Sequence, residues 1–250
     1  TITRPIAKWL IIPVFNFLGR FVDNYGLIII LFAIFIKLIL YPLTKSSFKS
    51  MAMMKQLQPQ MAEIKEKHGD DPQKQQQAMM KLYKDSGVNP IGGCLPQLLQ
   101  LPILYALFRF FPSAIEIRQQ GFLWCTDLSA PDVLLDLPFT LPIYGAHVSG
   151  FPMLMSAAMI VQMRLQGTHQ QQQGQMKVMM MIMPVFILVI FNQFAAGLSL
   201  YYLTYNVLSA IQQKFINKSI EEEGAMVKDE PKTKGSKGSK APRAKSSKNG

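Results

Sequence analysis

The feature that most constrains this chain is an apolar run over residues 26–43, GLIIILFAIFIKLILYPL, which contains one charged residue in eighteen. At about 1.5 Å per residue, a helix of this length reaches roughly 27 Å and nearly spans the hydrocarbon core of a bilayer. The run therefore predicts a transmembrane helix, and the rest of the chain has to fold around a membrane.

Four further apolar runs have the length or the position of membrane helices. They cover residues 90–112, 151–165, 178–194 and 198–215. Only three residues, AAG, separate the last two runs, which predicts an antiparallel pair of helices. We therefore expect an all-α polytopic membrane protein with five transmembrane helices.

The charged residues lie mostly outside these runs. The net charge is +11 and 49% of the residues are hydrophobic, yet only 16% are charged, against about 25% in an average soluble domain. Residues 44–89 contain eight lysines, whereas residues 113–149 contain Arg118 as their one basic residue. Because cytoplasmic segments carry the excess of Lys and Arg, residues 44–89 are predicted to be cytoplasmic and residues 113–149 to form a periplasmic loop. Five spans then place the N-terminus outside and the C-terminus in the cytoplasm.

The segments that flank the predicted core, residues 23–218, differ in character. Residues 1–22 are predicted to form an interfacial amphipathic helix anchored by Trp9, although its basic residues would then lie on the outer side, against the usual charge bias. Residues 219–250 are predicted to be a disordered basic tail, which either contacts anionic lipid or ribosomal RNA or is a solvated determinant of the topology. The cytoplasmic segment 44–89 is predicted to be a helical hairpin, with helices over 45–67 and 73–86.

Lys37 is the most informative single residue, because it lies about three residues from the midpoint of the first apolar run. A lysine at such a depth costs about 2.5 to 3.5 kcal/mol, so we expect it to face the protein interior or a hydrophilic groove. The alternative is that its long side chain reaches the cytoplasmic surface. Polar residues of the other runs can accompany Lys37, or can simply bond one helix to another: Gln97, Gln100, Gln162, Asn192, Gln193, Tyr201, Tyr202, Thr204 and Asn206.

The sequence argues against two classes of protein. Every Asp and Glu lies outside the five apolar runs, which disfavours a proton relay or an ion-coupled transporter. The chain has no H-E-x-x-H motif, no nucleophile elbow, no phosphate-binding glycine loop and no cysteine cluster with metal spacing. We therefore expect no enzyme, no cofactor and no metal site.

Short motifs occur in a recognisable order along the chain. They are YPLTK at residues 41–45, LQP at 57–59, GDD at 69–71, VNPIGGCLP at 88–96, DLSAP at 127–131 and GLSLYY at 197–202. With these motifs the chain resembles the YidC/Oxa1/Alb3 family of membrane protein insertases, over residues 20 to 218 approximately. The resemblance implies a multi-pass protein of the cell inner membrane that inserts and helps to fold nascent membrane proteins without nucleotide hydrolysis.

The resemblance also implies a substrate groove. In the family, a positive residue of the first core span lies in a hydrophilic groove open to cytoplasm and lipid, and Lys37 occupies that position, where arginine is usual. Lysine keeps the charge but loses the two-pronged geometry of a guanidinium. The predicted groove residues are Lys37, Gln97, Gln100, Gln162, Tyr201, Tyr202 and Asn206, with Ala33 and Leu104 as apolar substrate contacts.

The expected partners are nascent membrane proteins, a ribosome held by the hairpin and the basic tail, a Sec translocon and anionic lipids, but no DNA. Two other functions remain open. A small-molecule or ion transporter could use the same cavity, and a structural assembly factor would bind membrane proteins without inserting them.

Overall fold

The computed structural model describes residues 3–69, 71–89, 92, 95–142, 144–166 and 175–229. The described chain is mostly helical. Its helices are α1 (Thr3–Ile6), α2 (Ile12–Leu18), α3 (Tyr25–Gln56), α4 (Gln58–Lys67), α5 (Pro72–Asp85), α6 (Leu95–Phe110), α7 (Gly150–Gln166), α8 (Gln175–Phe191) and α9 (Ala196–Asp229). A π-helical stretch, Ala7–Ile11, joins α1 to α2, so the predicted N-terminal helix is helical from residue 3 to residue 18.

Helix α3 is longer than the sequence predicts. It begins after Asn24, whose side chain accepts a hydrogen bond from the backbone N–H of Leu27, and it continues through Pro42 to Gln56. The prediction of a separate hairpin helix starting at residue 45 is therefore wrong. Phe48 and Ala52, beyond the proline, are buried, and this packing holds the helix continuous despite the backbone hydrogen bond that Pro42 removes.

Among the described helices, α3 is the one both long enough and apolar enough to cross a membrane by length and composition. Shorter apolar helical stretches cover Gly150–Leu165 and Ile182–Phe191. Helix α9 packs against both α3 and α7, and the core between these helices contains large buried side chains. The largest of them are Tyr201, Phe32, Phe111 and Phe151.

The two helices that follow α3 belong to the predicted cytoplasmic segment. Leu57 separates α3 from α4, which starts at Gln58, and α5 starts after Asp71. The Asp71 carboxylate accepts hydrogen bonds from the backbone N–H groups of Gln73 and Lys74, both at 3.1 Å. These bonds lower the pKa of Asp71, and the bond from Lys74 has the largest effect. The carboxylate therefore caps the N-terminus of α5 with a negative charge.

The predicted periplasmic loop contains a small sheet, so the expectation of an all-α fold is corrected. Strands β1 (Val133–Leu141) and β2 (Gly145–Ser149) pair antiparallel, with Asp136 opposite His147. The sequence analysis predicts only a loop here, but Val, Leu, Phe and Thr in β1 favour extended backbone. An isolated two-stranded sheet is marginal in water, so this one needs support from the helices.

Asn192, directly after α8, supplies that support. Its side-chain amide donates to the carbonyl oxygens of Tyr144 at 2.9 Å and His147 at 2.7 Å, and its amide oxygen accepts from the backbone N–H of Ser149 at 2.9 Å. The side chain is buried. The sequence grouped Asn192 with the polar residues that could accompany Lys37, whereas the structure uses it to fasten β2 to the end of α8.

Other bonds tie the same loop to the helix ends. Buried Asp132 accepts from the indole N–H of Trp124 at 3.0 Å and from the backbone N–H of Phe151, in the first turn of α7, at 2.8 Å. The N–H groups of Ala196 and Gly197 donate to loop carbonyls at 2.7 and 2.9 Å. A Cβ atom at Gly197, in the first turn of α9, would lie 3.0 Å from the Phe111 ring and 3.1 Å from the Leu128 carbonyl oxygen, so a larger residue here would have to displace them slightly. We call the β-sheet and these bonded residues the outer cap, after the predicted periplasmic position of the loop.

The end of α9 also differs from the prediction. The tail was expected to be disordered from residue 219, but α9 continues to Asp229. Asn217 donates to the carbonyl of Leu165 at 2.9 Å, and Gln56 donates to the carbonyl of Ile220 at 3.4 Å. These contacts with α7 and α3 hold the helix beyond the predicted end of the span. Residues 230–250 of the predicted tail lie outside the described residues.

Replacing Asn192 with alanine should loosen the outer cap. The change leaves the carbonyls of Tyr144 and His147 and the N–H of Ser149 without these partners, so we expect a loss of about 2 to 3 kcal/mol in stability. Thermal unfolding in detergent, with limited proteolysis within residues 133–149, measures the effect. The exposed side chain of Gln120, in the same loop, provides the control Gln120→Ala. Equal stability of the two variants would contradict the anchoring role.

Candidate functional site

The Lys37 ammonium is buried between α3 and α9, with 6% of the residue exposed. It donates a hydrogen bond to Ser209 Oγ at 2.6 Å, and the Ser209 hydroxyl donates in turn to the carbonyl of Tyr205 at 2.7 Å. The ammonium nitrogen also lies 4.6 Å from the centre of the Tyr205 ring and 4.9 Å from that of Phe48. Lys37 therefore points into the protein, as predicted, and the snorkelling alternative does not describe this structure.

These contacts only partly compensate a buried cation. An ammonium can donate three hydrogen bonds, and within the described residues Lys37 makes one. Two aromatic faces contribute about 1 to 2 kcal/mol each when desolvated. No carboxylate among the described residues contacts Lys37, so the positive charge is held without a counter-ion.

A cavity of about 200 Å³ lies beside this cation. Its lining residues combine polar groups with methionine and aromatic side chains: Phe48, Met51, Pro96, Gln97, Met159, Gln162, Met163, Tyr202, Tyr205, Asn206 and Ser209. Lys37 itself is not in the lining. It lies behind Phe48, Tyr205 and Ser209, which line the cavity and contact the ammonium.

Four of the predicted groove residues meet at this cavity: Gln97, Gln162, Tyr202 and Asn206. Gln97 donates to the Tyr202 hydroxyl at 3.0 Å, and Asn206 donates to the Tyr202 carbonyl at 2.7 Å. The side-chain oxygen of Gln162 is buried and has no hydrogen-bond partner among the described residues. The cavity wall thus keeps unused hydrogen-bonding capacity.

The other predicted residues lie away from the cavity. Gln100 donates to the Tyr201 hydroxyl at 2.8 Å, and both residues are fully buried in the core. Ala33 is also fully buried, and Leu104 is partly buried against the same core. Of the adjacent Tyr201 and Tyr202, Tyr202 lines the cavity, whereas Tyr201 is not in its lining and is fully buried in the core. The roles of Ala33 and Leu104 as substrate contacts stay predictions.

A row of polar residues on α9 escaped the sequence analysis. Gln213 donates to the side chain of Asn217 at 2.7 Å, and Gln212 lies 3.5 Å from the Thr44 hydroxyl on α3. Together with Tyr202, Asn206 and Ser209, these residues recur every three or four positions, which is the spacing of one helical face. That spacing in the sequence could have revealed the row. It extends the polar surface of the cavity along the interface of α3 and α9.

The arrangement can bind a small polar or acidic group but offers no catalytic constellation within the described residues. The described lining of the cavity contains no Asp or Glu. Nor do the described residues bring together three His, Cys, Asp or Glu side chains able to hold a metal ion. The cavity combines polar side chains, some with unpaired acceptors, with apolar methionine side chains, and the Lys37 ammonium lies directly behind this lining.

Comparisons with known proteins identify relatives of this chain. The family model of the 60Kd inner membrane protein matches residues 17–223. The chain is 52% identical over 233 residues to the membrane protein insertase YidC of Chloroherpeton thalassium, covering 93% of this chain and 40% of that protein. The corresponding protein of Prosthecochloris aestuarii is 51% identical over 218 residues, covering 87% of this chain and 37% of that one.

A solved structure has a similar fold. The crystal structure of an active YidC insertase with its first transmembrane domain resolved has a TM-score of 0.59 and 33% sequence identity to this chain. The match covers 82% of this chain and 45% of the other. The chain therefore spans less than half the length of the relatives that it matches.

The two adjacent tyrosines should respond differently to removal of their hydroxyl groups. Tyr201→Phe leaves the amide of fully buried Gln100 unpaired, so we expect a loss of about 1 to 2 kcal/mol in stability. Tyr202→Phe releases Gln97, which is exposed and can bond to water, so its loss should stay near 0.5 kcal/mol. Thermal unfolding of both variants in the same detergent measures the difference, and the reverse order would contradict the assignment of the two sites.

Proposed function

The chain belongs to the YidC/Oxa1 family of 60Kd inner membrane proteins, and we propose that it inserts nascent integral membrane proteins and helps them to fold. The observation that carries this proposal is the Lys37 cation, held by a serine hydroxyl and two aromatic faces directly behind a partly polar cavity. The family membership agrees with the resemblance expected from the sequence motifs.

The family is one of inner membrane proteins, and we propose a multi-pass topology within that membrane. The core, residues 23–218, crosses five times through α3, α6, α7, α8 and α9, and residues 1–22 lie at the outer interface. Residues 44–89 form a cytoplasmic hairpin and residues 113–149 a periplasmic loop. The C-terminal segment, residues 219–250, is cytoplasmic. The eight lysines of residues 44–89 support this orientation.

Energetics favour a groove-based mechanism. A client helix gains about 0.3 to 0.6 kcal/mol for each Leu-like residue that reaches lipid. Its polar flank sets the barrier, because one Asp at the bilayer centre costs about 2.5 to 3.5 kcal/mol. A polar cavity within the protein receives such a flank and shortens its path through hydrocarbon. Insertion then needs no nucleotide and breaks no covalent bond.

Lys37 attracts the acidic end of the client. A carboxylate that enters the cavity meets Ser209 and Tyr205 first and takes the place of the Ser209 hydroxyl as the partner of the ammonium. The carboxylate adds the attraction of an opposite charge, which the neutral Ser209 hydroxyl lacks, so this exchange is favourable. The membrane potential, worth about 2.3 kcal/mol per charge per 100 mV, then drives a negative flank outward from a negative interior.

The client helix leaves sideways along apolar surfaces. Met51, Met159 and Met163 line the cavity, and flexible thioethers adapt to side chains of many shapes. Ala33 is fully buried in the described arrangement, so it contacts a client only after this part of the core opens. Leu104, which is partly buried against the same core, becomes more accessible by the same opening.

The proposed partners follow from charge and from the family. The segment 44–89 has eight lysines and the segment 214–250 has ten Lys or Arg, all on the proposed cytoplasmic side. This positive surface suits ribosomal RNA and anionic lipid. Nascent membrane proteins are the substrates, and a Sec translocon is a partner on the strength of the family membership alone. We propose neither a DNA partner nor a cofactor.

A transporter of small molecules or ions is the second candidate, because it would use the same cavity. The absence of any Asp or Glu in the described lining of that cavity disfavours coupled transport. A structural assembly factor is the third candidate. It would bind membrane proteins and leave their insertion unchanged.

Substitutions of Lys37 test the attraction step. In reconstituted insertion of a small client with an acidic tail, Lys37→Arg should retain activity, whereas Lys37→Glu should lower the rate at least about tenfold, because repulsion replaces attraction. Lys45→Glu makes the same charge change at an exposed position of α3 and serves as control. If Lys37→Glu and Lys37→Arg insert the client equally fast, the proposed role of the charge is wrong.

Crosslinking separates the three functions. A photoreactive residue in place of Tyr202, which lines the cavity, should crosslink to stalled nascent chains, whereas one in place of Tyr201, which is in the core, should not. An insertase gives the crosslink and integrated client. An assembly factor gives the crosslink without integration, and a transporter gives solute flux in liposomes with neither.

A further inference from the structure

A second set of cavities lies where the N-terminal helices meet α6. The larger has a volume of about 1010 Å³ and is lined by Arg4 and Ala7 on one side and by Leu101, Pro102, Tyr105 and Arg109 on the other. The smaller, of about 600 Å³, is lined by polar residues that include Asn16, Arg20 and Glu116. Both are lined by Ile12, Phe110 and Ser113. We call the two together the α6 groove.

The walls of the larger cavity are mostly apolar. They run along α6 from Leu101 to Arg109, nine residues whose eight steps span about 12 Å of helix. The volume lies at the upper end of the roughly 300 to 1,000 Å³ typical of small-molecule sites. On a helix that faces lipid, such a groove has the shape and chemistry to take an acyl chain.

Two arginines make the groove selective for charge. Arg4 and Arg109 are both exposed and both line the larger cavity. Neither has an ion pair within the described residues, and the described lining of that cavity contains no acid. Two guanidinium groups at one apolar groove form a site for a phosphate, which arginine binds through paired N–H donors.

The smaller cavity complements a hydroxylated head group. Glu116 offers carboxylate acceptors, Arg20 offers donors, and Asn16 offers both. A glycerol group satisfies all three, because each of its hydroxyls both donates and accepts. A trimethylammonium group has no N–H or O–H donor for Glu116 and meets like charge at Arg20.

We propose that the α6 groove binds one anionic phospholipid of the phosphatidylglycerol type. Its phosphate lies between Arg4 and Arg109, its acyl chain follows α6, and its glycerol head enters the smaller cavity. Under the topology proposed above, this lipid belongs to the outer leaflet. The site then gives Arg4 and Arg20 a function on the side of the membrane where the usual charge bias disfavours them.

Lipid binding in detergent tests this site directly. Native mass spectrometry of the purified chain, titrated with phosphatidylglycerol or with phosphatidylcholine of identical acyl chains, gives an apparent affinity for each lipid. We expect the first to bind at least tenfold more tightly. The double variant Arg4→Gln/Arg109→Gln should lose about fivefold in phosphatidylglycerol affinity for each arginine removed, and its phosphatidylcholine affinity should not change.

Two further variants localise the effect. Lys8→Gln removes one charge from the same helical segment at a residue outside the lining of the groove, and it should bind as the unmodified chain does. Ala7→Trp fills the groove without a change of charge and should weaken both lipids. Thermal unfolding of each variant without lipid shows that the fold is retained.

Three results would overturn the proposal. The first is an equal affinity for the two lipids. The second is an equal loss of phosphatidylglycerol affinity in Lys8→Gln and in either single arginine variant, and the third is an unchanged lipid affinity in Ala7→Trp. A loss common to all basic variants would indicate a diffuse surface charge instead of a site. No client or ribosome is present, so a failure here leaves the proposed insertion intact, and a failure of insertion leaves the lipid site intact.

Discussion

The buried ammonium of Lys37 is the interaction on which the arrangement of α3 and α9 depends. A cation within an apolar helix is tolerated only where the opposite helix supplies polar and aromatic groups, and Ser209 and Tyr205 do so. The same face of α9 continues the polar row to Gln213 and Asn217. Ser209 and Tyr205, which accommodate the charge, also line the cavity beside the lysine.

The two ends of the helical core differ in how completely their polar groups are satisfied. In the outer cap, the Asn192 side chain makes three hydrogen bonds and the first two N–H groups of α9 donate to loop carbonyls, so that one oxygen of Asp132 is the buried cap atom without a partner among the described residues. Around the cavity and along the polar row, buried oxygens of Gln162, Gln212 and Gln213 have no partner among the described residues. Unpaired buried acceptors favour the entry of water or of a polar ligand, which agrees with the client pathway proposed above.

The apolar runs of the sequence predicted that the helices exist but did not predict where they end. The apolar runs correspond to α3, α6, α7, α8 and α9. The first apolar run ends at residue 43, yet α3 continues to Gln56, because Phe48 and Ala52 pack beyond that point. Residues 219–229 read as a polar tail, yet they extend α9, whose contacts reach Gln56 and Leu165. The strand pair was missed because Asn192, 43 to 48 residues away, makes the bonds that support it.

The sequence by itself determined the chemistry of the site: one lysine in an apolar span, amides and tyrosines in the other spans, and no acid among them. Only the tertiary structure decided which of these groups share a cavity. Tyr202 lines it and Tyr201 does not, and Gln97 is exposed while Gln100 is buried. The physical reason is that packing against neighbouring helices sets the rotation of each helix about its axis. The order of residues along one helix does not specify that rotation.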